Sequence, residues 1–289
     1  MAQTRDCVWL IGADSFTGHY LRPTLEQDGY RVDVSRVDIT DAAAVDRAMA
    51  AIQPQYIINL AALSFVPDGG DATIYGVNCL GPENILAASL KLRQPPKHII
   101  LASSANIYGS QERERIDESC PPNPVNHYGC SKWAMEQIAR TYAERLNITI
   151  TRPFNYTGRG QKDKFLVPKI VAHFQRRAPS IELGNIDIWR DFSDVRWISR
   201  AYSQLLAASD SGLAIVNLCS GSLLSIRDII ATLEQLSGHT MTVTVNPDFV
   251  RQADIVRQCG DNARLYQQLS ELHAPPVFKD TLTWMLQAS

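Results

Sequence analysis

Short apolar runs alternate with amphipathic stretches along the first half of the chain. Continuous runs rich in Val, Ile and Leu predict strands that are buried on both faces, as in a parallel sheet. The segments between them place apolar residues at helical spacing and predict helices. The predicted strands are residues 7–11, 31–34, 56–62, 99–101 and 148–151. This order of strand and helix predicts an α/β fold built on a doubly wound parallel sheet.

The loop after the first predicted strand resembles a nucleotide-binding turn. Residues 12–18 match G-x-x-G-x-x-G, except that Ser15 stands where the middle glycine is expected and Phe16 follows it. Gly12 permits the tight turn, Gly18 permits close helix packing, and free N–H groups at the helix N-terminus suit a pyrophosphate. A turn bounded by glycines can also exist without a nucleotide. In this strand, turn and helix context we predict a Rossmann-type dinucleotide site.

The end of the second predicted strand distinguishes the two nicotinamide dinucleotides. A carboxylate there binds the adenosine ribose of NAD, whereas an arginine accommodates the additional phosphate of NADP. Ser35 and Arg36 lie nearest to that position, and Arg36 favours NADP(H) over NAD(H). The alternatives are that Asp33, which is close enough, reverses the preference, or that Arg36 is merely solvated. Asp38 and Ile39 are predicted to lie near the adenine. The small residues Ala61 and Ala62, at the end of the third predicted strand, suit a close approach of the cofactor and equally suit packing against a helix. Leu60, beside them, is also predicted to contact the cofactor.

A tyrosine and a lysine four residues apart form the centre of the candidate chemistry. Tyr128 and Lys132 lie on one face of a predicted helix, where a nearby ammonium lowers the pKa of a phenol toward values suited to proton transfer. Ser104 follows the buried run 99–101, at the strand end where open α/β sheets place ligands. The spacing Y-x-x-x-K also occurs by chance on solvated helix faces, so the pair alone is weak evidence.

The pattern changes after Asn155. A flexible loop precedes a predicted helix over 165–175, a connecting stretch over 184–192 and a helix over 195–208. A late apolar run is predicted to rejoin the sheet, and a further helix and strand follow it. We therefore predict a smaller C-terminal α/β lobe for substrate beside the dinucleotide-binding domain. The domain comprises residues 1–157 and about 190–219, and the lobe comprises about 158–189 and 220–289.

The composition excludes several classes of protein. The 289 residues carry a formal net charge of -2, which offers no general basic field for nucleic acid or an anionic membrane. No apolar run approaches the ~20 residues that span a bilayer. The N-terminus shows no signal-peptide pattern, so a cytoplasmic location is expected. The six cysteines and six histidines lack ligand spacing, and no metal site is predicted.

Several of these motifs occur together in one known family. The glycines of the first turn, the run 59–62, Ser104, Tyr108-Gly109 and the Tyr128/Lys132 pair stand in the order and spacing of the extended short-chain dehydrogenase/reductases. The resemblance covers essentially the whole chain. It implies that Ser104 hydrogen-bonds the C4 oxygen of a sugar, that Tyr128 protonates this oxygen, and that Lys132 holds the cofactor ribose and lowers the tyrosine pKa.

The segments 152–158 and 184–192 look like the branch of the family that acts on GDP-mannose derivatives. The resemblance then implies a GDP-sugar substrate and a homodimer. Guanidinium and ammonium groups suit its diphosphate. The substrate-binding residues implied are Lys169, Arg190 and Arg251 for the diphosphate, Asp254 for the nucleotide ribose, and Asn155 for sugar or phosphate. The alternatives are a solvated lysine at 169 and an ion pair between residues 190 and 191.

Asn106 distinguishes two related reactions. Dehydratases of this branch carry a glutamate two positions after the serine or threonine, because eliminating water requires a carboxylate that accepts and donates protons. Asn106, which is expected to contact the substrate, has no ionisable proton. It favours reduction of the 4-keto group of a GDP-4-keto-6-deoxy-hexose by NAD(P)H, with GDP-D-rhamnose as the expected product for glycan synthesis. The alternatives are a 4,6-dehydratase or epimerase that retains NAD(P), and a non-catalytic dinucleotide-sensing regulator.

Overall fold

The computed structural model describes residues 5–64, 71–208, 212–249 and 255–287. The strands are β1 Cys7–Ile11, β2 Arg31–Asp33, β3 Tyr56–Asn59, β4 His98–Ala102, β5 Ile148–Pro153, β6 Asn155–Thr157, β7 Ser180–Leu183, β8 Trp189–Asp194, β9 Leu213–Leu218, β10 Leu223–Ser225, β11 Thr242–Val245 and β12 Arg257–Gln258. The helices are α1 Phe16–Gln27, α2 Ala42–Ile52, α3 Asp71–Tyr75, α4 Gly81–Ser89, α5 His127–Arg140, α6 Leu166–Gln175, α7 Val195–Ala207, α8 Ile226–Ser237, α9 Ala263–Gln268 and α10 Phe278–Leu286.

Six parallel strands form the main sheet, in the order β2-β1-β3-β4-β5-β9. The chain leaves β1 for β2 on one side and returns to β3 on the other side. The strand order therefore reverses at β1, and a crevice opens at the carboxyl ends of β1 and β3. The predicted doubly wound parallel sheet is confirmed.

Alternate residues of the strands pack against helices on opposite faces of the sheet. On one face Val8 and Leu10 belong to a core that includes residues of α1 and α7. On the other face Trp9 and Ile11 belong to a core with residues of α2, α4 and α5. Because both faces are covered, successive residues of β1, β3 and β4 are buried, which explains the continuous apolar sequence of these strands.

A separate hydrophobic cluster joins α6, α8 and α10 to two smaller sheets. In one of these, β8 pairs with β6, β10 and β12, and in the other β7 pairs with β11. The prediction of a mere connecting stretch over 184–192 was wrong at β8, which begins at Trp189. The polar residues of β8 do not form an apolar run that would predict a buried strand. The strands with which β8 pairs are also distant in sequence, so no local pattern indicates them. The division of the chain into two functional regions remains a prediction.

The helical region that begins at Asp71 and ends at Ser89 is interrupted. A π-helical turn, Gly76–Leu80, separates α3 from α4. Asn78 in this turn is buried, accepts from the N–H of Leu63 at 2.8 Å, and donates to the Leu63 carbonyl and the Ser131 hydroxyl. The widened turn thus joins the loop after β3 to α5, and such turns often occur at functional sites. Among the residues described, none of the helices is both long and apolar enough to cross a membrane.

Candidate active site

Ser104 stands directly beyond β4, where the strand gives way to a short 3₁₀ turn, Ala105–Ile107. Its hydroxyl caps that turn by accepting from the backbone N–H of Asn106 at 3.1 Å. It also accepts from the side-chain Nδ2 of Asn106 at 3.0 Å. The two donors occupy the acceptor capacity of the oxygen, so the hydroxyl hydrogen is directed elsewhere.

Tyr128 and Lys132 lie on the first two turns of α5. The helix begins there because Asn126 is its N-cap and accepts from the N–H of Gly129 at 2.8 Å. Tyr128 hydrogen-bonds Ser104. Lys132 is 2% exposed and its Nζ donates to the carbonyl of Ala102, at the end of β4, at 2.6 Å. The fold thus assembles the predicted Ser104, Tyr128 and Lys132 at one strand end.

Burial raises the pKa of Tyr128 to about 12, while the hydrogen bond to Ser104 lowers it and Tyr156 raises it further. The pKa of Tyr128 thus lies above its usual value and not below it as expected from Lys132, because burial is the largest contribution and Lys132 is not among the contributing groups. Burial also lowers the pKa of Lys132 to about 8, against the opposing effect of Glu136.

Asn106 gives the hydrogen bonds a direction. Its backbone N–H and its side-chain amide both donate to Ser104, so the single hydroxyl hydrogen of Ser104 is left to donate to one partner. A carboxylate at position 106 would accept the Ser104 proton instead and reverse this direction. The structure consequently places a donating serine, rather than an acid and base pair, beside the tyrosine.

A buried charged network supports this cluster and was not identified from the sequence. Glu136 is 0% exposed and forms a two-pronged ion pair with Arg152, at 3.0 Å to Nε and 2.6 Å to Nη2. Glu136 also accepts from the Ser103 hydroxyl at 2.6 Å. Arg152 donates to Tyr108, whose hydroxyl donates to Asn217. The signal in the sequence was a glutamate within the apolar stripe of α5, four residues after Lys132.

The turn between β1 and α1 has the geometry of a dinucleotide cradle. Gly12 has φ +84°, and a Cβ there would lie 2.8 Å from the backbone nitrogen of Ala61. A Cβ on Gly18 would lie only 2.6 Å from the Cα of Ala13. Ser15 replaces the middle glycine by capping α1, and its hydroxyl accepts from the Gly18 N–H at 3.0 Å. Ser15 thus starts α1, and the absence of side chains at Gly12 and Gly18 lets the backbone pack closely around this turn. A helix N-terminus in such a turn suits a pyrophosphate.

The remaining predicted cofactor residues surround this crevice. Leu60 and Ala61 follow β3 and are half-buried, whereas Ala62 is exposed. Phe16 stacks on Tyr156, with ring centroids 6.2 Å apart, and the Tyr156 hydroxyl hydrogen-bonds Thr17 at 2.7 Å. These contacts join β6 to the first turn of α1. Tyr156 was not singled out from the sequence.

The loop after β2, where the adenosine is predicted, carries charged side chains. Arg36 lies 2.7 Å from Asp14 of the glycine turn. Asp33 accepts from the N–H of Ser35 at 2.9 Å, within its own loop. Asp38 is exposed, and hydrogen bonds from the hydroxyl and N–H of Thr40 lower its pKa. Ile39, also predicted near the adenine, is 4% exposed and packs in the core against α2 and α4.

Only part of the predicted substrate set lies among the described residues. Lys169 on α6 donates to the Glu182 carbonyl at 2.7 Å and lies 4.9 Å from the Phe249 ring centroid. Arg190 on β8 donates to the carbonyls of Trp189 and Val256. Asn155 begins β6 and is exposed, with its Nδ2 3.4 Å from the Asp191 carbonyl. Arg251 and Asp254 lie outside the described residues.

Asp191 does not follow the alternative of a simple surface ion pair. The carboxylate is buried and accepts from the N–H and hydroxyl of Ser220 and from the N–H groups of Gly221 and Gly260. Burial raises its pKa, and these hydrogen bonds oppose the rise. Asp191 therefore fixes the loops that follow β9 and β12 beside β8.

The parallel sheet, the glycine turn and the Ser104, Tyr128 and Lys132 cluster together define an extended short-chain dehydrogenase/reductase. The family model for GDP-mannose 4,6 dehydratase matches residues 13–270. A GDP-6-deoxy-D-talose 4-dehydrogenase from Aggregatibacter actinomycetemcomitans is 36% identical over 271 residues, which cover 91% of this chain and 90% of the relative. A GDP-6-deoxy-D-mannose reductase from Pseudomonas aeruginosa is 33% identical over 224 residues, covering 74% and 73%.

The solved structure of RMD from Pseudomonas aeruginosa, complexed with NADPH, superimposes with a TM-score of 0.87 at 27% identity. The similarity covers 98% of this chain and 96% of that one. This chain therefore belongs to the GDP-mannose 4,6 dehydratase family. The predicted fold and the predicted family are both confirmed.

Proposed function

We propose that this protein reduces the 4-keto group of a GDP-4-keto-6-deoxy-hexose with NAD(P)H. The observation that carries the proposal is the pair of hydrogen bonds from Asn106 to Ser104, at 3.1 and 3.0 Å, which leaves the Ser104 hydroxyl hydrogen to donate to a sugar oxygen. Asn106 offers no carboxylate for elimination. The two relatives described above are named for oxidoreduction of GDP-6-deoxy sugars, which supports the same reaction class.

Ser104, Tyr128 and Lys132 have different roles in the proposed two-electron reduction. A bound nicotinamide dinucleotide supplies the hydride that the sugar C4 receives. Tyr128 supplies the proton to the C4 oxygen, and with a pKa of about 12 it is protonated throughout the neutral range. Ser104 donates a hydrogen bond where negative charge develops on that oxygen. Lys132, anchored on the Ala102 carbonyl, stabilises the phenolate that Tyr128 becomes until solvent returns the proton.

The finer proposal concerns the product. GDP-D-rhamnose is the first candidate, in agreement with the reductase activity named for one relative. The C4 epimer, GDP-6-deoxy-D-talose, is the second candidate, because the relative named for it matches 91% of the chain at 36% identity. The two products differ only in the face of C4 that receives hydride. Sugar orientation in the bound state determines this face.

The experiment incubates the purified protein with the GDP-4-keto-6-deoxy sugar and either NADPH or NADH. We expect cofactor oxidation and a GDP-6-deoxy-hexose whose C4 configuration is assigned by NMR. A large coupling between H3 and H4 identifies the rhamnose product, and a small coupling identifies the talose product. Tyr128→Phe keeps the ring and removes the proton donor, so we expect a loss of about 10²- to 10⁴-fold in kcat.

Three outcomes would contradict the proposal. Conversion of GDP-mannose to the keto sugar would indicate a dehydratase. Turnover with a retained cofactor, without added NAD(P)H, would indicate an epimerase. Unchanged activity in Tyr128→Phe would remove the tyrosine from the chemistry and would favour a different site.

A further inference from the structure

An acidic residue lies in the glycine turn beside the arginine that is predicted to select the cofactor. Asp14 is two residues after Gly12, and Arg36 lies shortly beyond the end of β2. Because β1 and β2 are parallel neighbours, these two loops emerge at the same edge of the sheet. The Arg36 Nη2 and the Asp14 Oδ2 are 2.7 Å apart. The side chains are 84% and 67% exposed, so both are accessible to a ligand.

The position of this pair determines which ligand group it meets. Asp14 immediately precedes Ser15, the N-cap of α1, where a dinucleotide pyrophosphate would sit. The loop after β2 is the place where a Rossmann fold reads the adenosine ribose. Asp33, the other acidic candidate, directs its Oδ1 to the N–H of Ser35 within its own loop. Arg36 and Asp14 form a pair of opposite charges at the edge of the sheet where that ribose is expected.

The two charges act in opposite senses on the two cofactors. A 2′-phosphate gains from the Arg36 guanidinium but is repelled by the Asp14 carboxylate, which also occupies the guanidinium. A 2′-hydroxyl carries no charge and can donate a hydrogen bond to a carboxylate. We propose that Asp14 is a specificity-determining residue that holds Arg36 back from the 2′-phosphate and so keeps the site open to both NADP(H) and NAD(H). The inference rests on the dinucleotide site of the proposed function and not on the identity of the sugar.

The test compares binding of NADP⁺ and NAD⁺ to the intact protein by isothermal titration calorimetry, without any sugar substrate. Asp14→Asn keeps the side-chain shape and removes the charge. We expect NADP⁺ to bind about three- to tenfold more tightly to this variant at low salt, because a carboxylate no longer opposes the phosphate. NAD⁺ lacks the 2′-phosphate and should gain less, so the ratio of the two dissociation constants shifts toward NADP⁺. The gain for NADP⁺ should shrink in 1 M salt, where the Debye length is about 3 Å.

Two further variants make the result specific. Asp46→Asn removes one negative charge from another exposed pair, Asp46 with Lys91, also at 2.7 Å. It should leave the ratio of the two dissociation constants unchanged. Arg36→Met should weaken NADP⁺, and adding Asp14→Asn to it should recover less affinity than in the parent, because no guanidinium remains to be released.

An unchanged ratio of dissociation constants in Asp14→Asn would overturn the proposal, as would an equal change in Asp46→Asn. Absence of binding of either dinucleotide to the parent protein would overturn it together with the dinucleotide site. A parent that binds both dinucleotides but fails to reduce the keto sugar would contradict only the proposed substrate. In that case, the shift of the ratio in Asp14→Asn would still support the role of Asp14.

Discussion

Glu136→Gln breaks the buried ion pair beneath the catalytic cluster while preserving the shape of the side chain. Glu136 accepts from Arg152 on both carboxylate oxygens and from Ser103, and its side chain is fully buried. The amide of glutamine has one oxygen where the carboxylate has two, so it cannot accept from all three donors. The substitution also leaves Arg152, which is 2% exposed, without its countercharge. We therefore expect a large loss of stability.

The magnitude follows from burial. Removing one partner of a buried pair costs roughly 3–5 kcal/mol, because the remaining charge is desolvated without compensation. The free energy of unfolding of a domain is typically about 5–15 kcal/mol, so this loss is a substantial share of it. Removing both charges avoids the uncompensated ion. The double variant with Arg152→Met should accordingly cost less than the sum of the two single variants.

The assay is urea unfolding at pH 7, followed by tryptophan fluorescence, for the parent, both single variants and the double variant. Arg227→Met is a matched control, because Arg227 and Asp187 are also 2.6 Å apart but are 61% exposed. We expect no loss of stability beyond experimental error in this control. The reasoning would be refuted if Glu136→Gln cost no more than the control, or if the two single losses simply added in the double variant.

Three other predictions concern cofactor binding and pH. Burial lowers the pKa of Lys132 to about 8, so kcat/KM for ketoreduction should fall as pH rises through 8, and a profile flat to pH 10 would contradict this. Gly12→Ala places a Cβ 2.8 Å from the nitrogen of Ala61 at φ +84° and should abolish NADP⁺ binding in calorimetry, whereas undiminished binding would exclude the crevice as the site. Burial lowers the pKa of His98 from 6.5, so the unfolded chain takes up its proton first and stability is lost as pH falls below about 6.5. In His98→Gln, thermal unfolding between pH 7 and 5 should depend less on pH, and an unchanged dependence would show that His98 is not responsible.

The direction of the Ser104 hydrogen bonds has consequences for how related sites differ. Asn106 and a glutamate at the same position occupy similar volumes, but one donates and the other accepts. The exchange would reverse the proton of Ser104 and place a negative charge near Tyr128. We therefore propose that Asn106 favours reduction over elimination at this site.

The sequence by itself determined the parallel sheet and the catalytic cluster. Continuous apolar runs predict buried strands. Ser104 follows the end of one such strand, β4, and Tyr128 lies near the start of the helix α5. The glycine turn was equally visible, because Gly12 and Gly18 are needed where backbone approaches backbone. These signals are local, and each can be recognised within about ten residues.

Only the tertiary structure decided which charges meet. The contacts of Glu136 with Arg152, and of Asp14 with Arg36, join residues on different elements, and no local pattern specifies them. The strand β8 was missed for the same reason, since its hydrogen bonds are made to β6, β10 and β12. Burial also reversed the expected shift of the Tyr128 pKa. Desolvation depends on everything that surrounds a group, so it is set by the packed fold and not by the four-residue spacing of tyrosine and lysine.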